Sequence, residues 1–283
     1  MSGAWASPTA IDLDVISSVQ RGLVVGLIMT PRGQVMTCKT SDSIAALLER
    51  NVDRYSFIPV VNDEERYIGL FDASRWFDKT APDTPIETKY QPLSEDLMIG
   101  ADASIFDFVV SADAQPMRLV VSGEAVAGVI SLSDLQQLPV RAALFTLITA
   151  LEMAMARRIE AEWGGDSQRW MKLISEERRA SIEAKIKEVR EADGYVSDIA
   201  LSQFADKAMV ICKARLIEGT RKSIKRSFKD AEDLRNQLAH SGYYAETPTS
   251  AANVSAVVRS ILEIKTALLP GLEERGSEGN TPS

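Results

Sequence analysis

Arg235, Asn236 and His240 stand within six residues of one another, and His240 is the only histidine in the 283-residue chain. An imidazole with an ordinary pKa of about 6.5 can give or take a proton near neutral pH. A guanidinium can neutralise two phosphate oxygens at once, and an amide beside it can orient a phosphate or a ribose. Together these groups suit attack of a ribose 2′-hydroxyl on the adjacent phosphorus, which needs a base, an acid and positive charge on the phosphate. One histidine does not easily serve as acid and base in one step, so a two-fold dimer placing two copies in one cleft is expected. Glu152, polar within an apolar helix, could reach Arg235 and fix its geometry. No grouping of His, Cys or clustered acids accompanies the segment, so a metal-free mechanism is expected and no metal site is predicted. Each residue also has a structural alternative. His240 can cap a helix C-terminus, a role worth about 0.3–2 kcal/mol. Arg235 can pair with Asp230, Glu232 or an acid on another helix, and Glu152 can belong to an interhelical ion pair.

A second constellation is Gly128-Val129-Ile130-Ser131-Leu132-Ser133-Asp134. Ser131, at the start of a helix, can donate to a phosphate that also meets free backbone N–H groups. Asp134, one turn on, can accept hydrogen bonds from ribose hydroxyls. The alternative is an N-cap serine and a favourable first-turn charge. A third feature is basic: Lys213, Arg215, Arg221, Lys222, Lys225, Arg226 and Lys229 are opposed within their run only by Glu218. Lys222, Lys225, Arg226 and Lys229 are the candidate contacts to an RNA backbone, the alternative being a solvated helix face.

The elements that must position these residues change character at Pro139. Before it, one unit occurs twice: SDSIAALLERN, FIPVV and YIGLF in the first copy, ADASIFDFVVSAD, RLVV and VAGVI in the second. Ile44 and Ile105 are 61 residues apart, and Gly69 and Gly128 are 59 apart. Each copy reads as helix, strand, strand and a further helix, and two copies are expected to share a buried surface. The first copy departs at its end, where Gly69-Leu70-Phe71-Asp72-Ala73-Ser74-Arg75 puts Asp72 at the hydroxyl position and Arg75 at the carboxylate position. At most one nucleotide site per chain is expected, in the second copy. After Pro139 the pattern is helical, with helices predicted over 140–163, 167–192, 197–216, 220 or 227 to 239, and 249–269. The predicted fold class is therefore an α+β repeat pair followed by an all-α bundle.

Composition fits two ordinary domains, 45% hydrophobic and 25% charged. Residues 1–139 carry 10 Lys and Arg against 19 Asp and Glu, and residues 140–283 carry 22 against 21. RNA contacts are therefore expected after residue 139. Two isolated cysteines, Cys38 and Cys212, suggest neither a disulfide framework nor a thiolate zinc site. With no visible secretory signal, a reducing cytoplasmic setting is expected. The apolar stretch 140–156 is interrupted by Glu152 and ends at Arg157-Arg158, which predicts a buried helix and no membrane span.

The repeat, with its opening segment GLIMTPRGQVMTCKTSDSIAALL and the Gly128–Asp134 motif, resembles the CBS domain, which usually works as a tandem pair. The resemblance covers 20–139, with copies at about 20–79 and 90–139 after a 1–19 extension. It implies an adenine nucleotide (AMP, ADP or ATP) as a regulatory ligand, held by Gly128, Ser131 and Asp134 with Arg118. The segment Arg235-Asn236-Gln237-Leu238-Ala239-His240 resembles the Arg-x4-6-His motif of the HEPN superfamily. That resemblance covers about 140–270, before a tail at 271–283 that is expected to be disordered. It implies a helical bundle, often dimeric, acting as a metal-independent endoribonuclease, with a role as toxin or in defence. It also implies Arg235, Asn236, His240 and Glu152 as catalytic residues, RNA as substrate, and an antitoxin or regulatory protein as a further partner. Some members carry tyrosine two places after the histidine; here Gly242 stands there, followed by Tyr243 and Tyr244. The rival reading is a non-catalytic nucleotide-sensing scaffold.

Overall fold

Both copies of the repeat start their helix on a serine whose side-chain oxygen takes an otherwise unpaired N–H. Ser43 accepts from Ala46 N–H at 3.2 Å ahead of α1 (Ile44–Arg50). Ser104 accepts from Phe106 N–H at 3.2 Å ahead of α2 (Ile105–Val109), while the Asp107 carboxylate accepts from Ser104 N–H at 3.0 Å. The computed structural model describes residues 21–80, 82–194, 196–240 and 242–268. It falls into two compact units, Val24–Leu135 and the chain from Gln136 onward with the segment before Val24. The 1–19 extension and the tail beyond 270 lie outside the described residues.

In the first unit the strands run β1 (Thr30–Pro31), β2 (Cys38–Lys39), β3 (Phe57–Val61), β4 (Tyr67–Asp72), β5 (Gln91–Pro92), β6 (Met98–Gly100), β7 (Met117–Ser122) and β8 (Ala125–Ser131). They form two four-stranded sheets, β2-β3-β4-β5 and β1-β8-β7-β6. The sheets match element for element: each has one parallel pair, a hairpin with a register shift at Val60/Val61 or Val120/Val121, and a two-residue edge strand. The edge strands are exchanged. Thr30-Pro31, near the start of the first copy, pairs with β8 of the second, and Gln91-Pro92, at the start of the second, pairs with β4 of the first. Gly69 and Gly128 are needed where these edges cross. A Cβ at Gly128 would lie 2.2 Å from the Thr30 carbonyl oxygen, and one at Gly69 would lie 2.2 Å from that of Gln91.

The two copies bury a common surface. Leu70 of the first packs in one cluster with Leu119 and Val129 of the second, and Val35, Phe57 and Tyr67 close round it. A separate core under α1 holds Ile44, Leu47, Ile58, Val60 and Phe71. The closing helix predicted for each copy is a single 3-10 turn, Ala73–Trp76 or Leu132–Gln136.

From Gln136 the described elements are helical: α3 (Leu138–Trp163), α4 (Ser167–Met171), α5 (Glu176–Glu191), α6 (Phe204–Ala214), α7 (Arg221–Ala239) and α8 (Pro248–Leu268). Two predicted helices are each split. The stretch 167–192 breaks because Ser175 caps a new helix by accepting from Arg178 N–H at 3.3 Å. The stretch 197–216 breaks at Ser202-Gln203, where the Ser202 hydroxyl donates back to Ile199 O and the Asp206 carboxylate takes the Gln203 N–H. In both places a polar side chain satisfies the backbone better than a continued helix would. α3 is the central helix, in contact with α6, α7 and α8. By length and composition it could cross a membrane, yet Val140, Leu144, Leu147, Leu151, Met155 and Ile159 are buried in this unit. Leu138 and Phe145 are left exposed on another side.

Candidate functional site

α7 starts on a Thr220 cap and ends at Ala239, so Arg235 and Asn236 occupy its last turns. His240 has left the helix: its backbone is extended (φ −95°, ψ 155°) and its N–H reaches Gln237 O at 3.3 Å. Asn236 and His240 are exposed, and Ser241 lies outside the described residues. Arg235 lies toward α3. Its Nη2 stands 4.0 Å from Glu152 Oε2, a long ion pair that leaves the side chain 40% exposed. The structure thus joins Arg235 to Glu152 and leaves His240 and Asn236 on the open surface at the same end of α7.

Sequence reading missed two groups that hold this end together. Lys207 of α6 is 3% exposed, and its ammonium donates to Glu152 Oε1 at 3.1 Å and to Ser202 O at 2.7 Å. Burial holds its pKa below the ordinary lysine value, against the pull of Glu152. Glu152 therefore bridges a buried ammonium and a half-exposed guanidinium. Next to Lys207, Asp206 receives a two-pronged hydrogen bond from Arg178, at 3.0 and 2.7 Å. Burial pushes its carboxyl up, but the bonds from Arg178 and Gln203 N–H outweigh that and hold it below the usual range.

Arg141 of α3 is the other missed group. Its Nη1 donates to Leu238 O at 2.9 Å and to His240 O at 2.6 Å, and its Nη2 to Gly242 O at 2.8 Å. Its guanidinium also lies 5.1 Å from the ring centre of Tyr244. One cation thus takes the Leu238 carbonyl at the end of α7 and those of His240 and Gly242 just beyond it, which suits the negative end of a helix dipole. Burial pushes the Tyr244 phenol up to about 12. Tyr243 is exposed.

The basic run divides along α7. Lys229 is held by Asp233 at 2.7 Å and Arg226 lies 3.8 Å from Asp230. Lys222 and Lys225, nearer the start, are exposed and form no ion pair with any described residue.

In the first unit Ser131 is not at the start of a long helix. It ends β8, and Asp134 closes the turn back onto it: Ser131 N–H donates to Asp134 Oδ2 at 2.7 Å and Ser131 Oγ to the same oxygen at 3.1 Å. Asp134 is 6% exposed, and the Ser131 and Ser133 hydroxyl oxygens stand 2.8 Å apart. Gly128 lies beside Pro31, so the Thr30-Pro31 strand borders the turn. Pro31 and Pro92 recur at the same 61-residue spacing as the isoleucines, a signal that could have revealed both edge strands. Arg118 is not brought to Ser131. It lies opposite Ile130, so alternation along the strands puts it on the other face of the sheet from Met117 and Ser131. There Nη2 donates to Ser111 Oγ at 2.8 Å, and Nε is buried without a hydrogen-bond partner among the described residues. In the first copy Asp72 is not an open negative charge, since Ser74 Oγ donates to it at 2.5 Å and Arg75 Nε at 2.8 Å.

Residues 25–76 match the CBS domain family. The first unit is CBS-like. Several solved structures are similar to the chain at low identity. The CBS domain of a bacterial CNNM/CorC family magnesium transporter in complex with ATP shares 18% identity, covers 45% of this chain and 94% of its own, and has a TM-score of 0.36. The CBS domains of a transcriptional regulator from Streptococcus pneumoniae share 21% identity (39% and 94% covered, TM-score 0.34). A CBS-pair protein from Arabidopsis thaliana shares 19% (43% and 94% covered, TM-score 0.33). Among curated proteins none matches the chain.

Proposed function

We propose that the chain is a metal-independent endoribonuclease of HEPN type, active as a homodimer in the cytoplasm and gated by an adenine nucleotide at the second CBS copy. The observation that carries the catalytic half is the end of α7: Arg235 tied to Glu152 and His240 exposed one turn on, with Arg141 holding the segment between. In this reading Arg235 neutralises the scissile phosphate and Asn236 orients it. His240 moves the proton, and the second copy's histidine supplies the opposite proton transfer. The exposed Leu138 and Phe145, seven residues apart on α3, offer an apolar stripe for the second copy. Lys222 and Lys225, which form no ion pair with any described residue, would meet RNA beyond the cleavage point. In the CBS-like unit, the Ser131 and Ser133 hydroxyls would donate to a phosphate. Asp134 would then have to exchange Ser131 for a ribose hydroxyl.

Gating requires that the nucleotide favour one arrangement of the chain over another. The test is incubation of the purified protein with mixed RNA in chelator, with and without AMP or ATP, beside His240→Ala. Cleavage that the nucleotide changes and the substitution removes supports the reading, and cleavage that survives the substitution rejects it. The second reading, a nucleotide-sensing scaffold, is favoured by the same exposed Leu138–Phe145 stripe. Nucleotide binding with no cleavage under any condition would select it.

A further inference from the structure

α3 and α7 run antiparallel: Arg141 near the start of α3 meets Leu238 and His240 at the end of α7, while Arg158 near the end of α3 shares a cleft with Arg221 at the start of α7. This second meeting point lies about 28 Å from His240, the length of the 19-residue α7 at about 1.5 Å per residue. The cleft has a volume of about 940 Å³. Ile211, Leu216, Ile217 and Ile224 give it an apolar floor. Arg158, Arg215 and Arg221 line it as cations, against Glu218 alone among the lining acids.

The charges here are not neutralised as they are farther along α7. Arg158 leans on Glu162 at 3.1 Å, but Arg215 and Arg221 form no ion pair with any described residue. Lys222 beside Arg221 and Lys225 one turn on, outside the cleft's lining, likewise form no ion pair with any described residue. Two arginines of the basic run that form no ion pair with any described residue, Arg215 and Arg221, thus line one concave site. A surplus beyond one charge favours a doubly negative head over a single carboxylate. The volume exceeds what a bare phosphate needs and lies in the range of pockets that enclose a small organic molecule.

We propose that this cleft binds a small phosphate monoester of mononucleotide size, its phosphate on Arg215 and Arg221 and its ring or chain on the isoleucine floor. The site is separate from the α7 terminus and from the Ser131 turn, so it stands or falls apart from the nuclease reading. The test uses the full chain with labelled isoleucine methyls, titrated with AMP, adenosine and inorganic phosphate. AMP should shift the Ile217 and Ile224 methyls saturably, with adenosine and phosphate each at least about tenfold weaker. Replacing both arginines (Arg215→Gln with Arg221→Gln) should weaken AMP about tenfold or more at these methyls, while Asp134→Ala leaves them unchanged. Both arginines are exposed, so the variant should fold, which its circular dichroism checks. Methyls unmoved by millimolar AMP, or AMP shifts indifferent to the arginines, would overturn the proposal. So would shifts produced by a hexauridylate and not by AMP, which would make the cleft an RNA contact.

Discussion

The candidate sites of the two units are closed over different distances along the chain. In the CBS-like unit, Asp134 closes on Ser131 and Asp72 on Arg75, each three residues away. In the helical unit, Asp206 is held from 28 residues away, Glu152 from 55, and the end of α7 by Arg141 from 97 to 101. A turn closed by its own neighbours can form early and be altered without much effect elsewhere. A site assembled from α3, α6 and α7 exists only when all three are packed. Damage to the second kind should therefore register in stability as well as in chemistry.

The largest effect is expected from chemistry without a stability cost. His240 is exposed, so His240→Ala should lower RNA cleavage about a thousandfold while leaving the urea midpoint nearly unchanged. Next comes Asp206→Asn, which strands the Arg178 fork and should cost about 2 kcal/mol in denaturant unfolding, tempered because Arg178 is partly exposed. The same pair sets a pH dependence. Asp206 is held below its ordinary value of 3.8, so its stabilisation is full above that pH and is lost as the pH falls through the lower, folded-state value. The Asn variant should lack that loss. Arg141→Ala should cost about 1.5 kcal/mol and speed hydrogen exchange at 238–244, with Arg141→Lys intermediate. Smallest is Asp134→Ala, expected to cost under about 1 kcal/mol by unfolding yet to weaken adenine-nucleotide binding about tenfold in calorimetry. An Asp134 variant that destabilised more than the Arg141 variant would erase the contrast between the units.

The same difference in range decides what the sequence could tell. The repeat, its shared surface and the helical character after Pro139 rest on periodicity and paired spacings, which are local or recur. Arg235 and His240 could be singled out as candidates because six residues contain them both. Lys207 and Arg141 were not, since a lysine in an amphipathic helix and an arginine near a helix start look like ordinary surface residues until α6, α7 and α3 pack. Arg118 was misleading for a geometric reason. Proximity in sequence to the motif says nothing of which sheet face a side chain occupies, and one step along a strand reverses it. The helix breaks at Ser175 and Ser202 were missed because a serine is read as tolerable within a helix until its hydroxyl is seen capping.

The most direct measurement is the chemistry of the RNA ends left by the wild-type chain in the presence of chelator. Attack by the 2′-hydroxyl leaves 2′,3′-cyclic phosphate and 5′-hydroxyl ends, and the account predicts these from the wild type and none from His240→Ala. Ends bearing a 5′-phosphate, or the same cyclic ends from the variant, would contradict it.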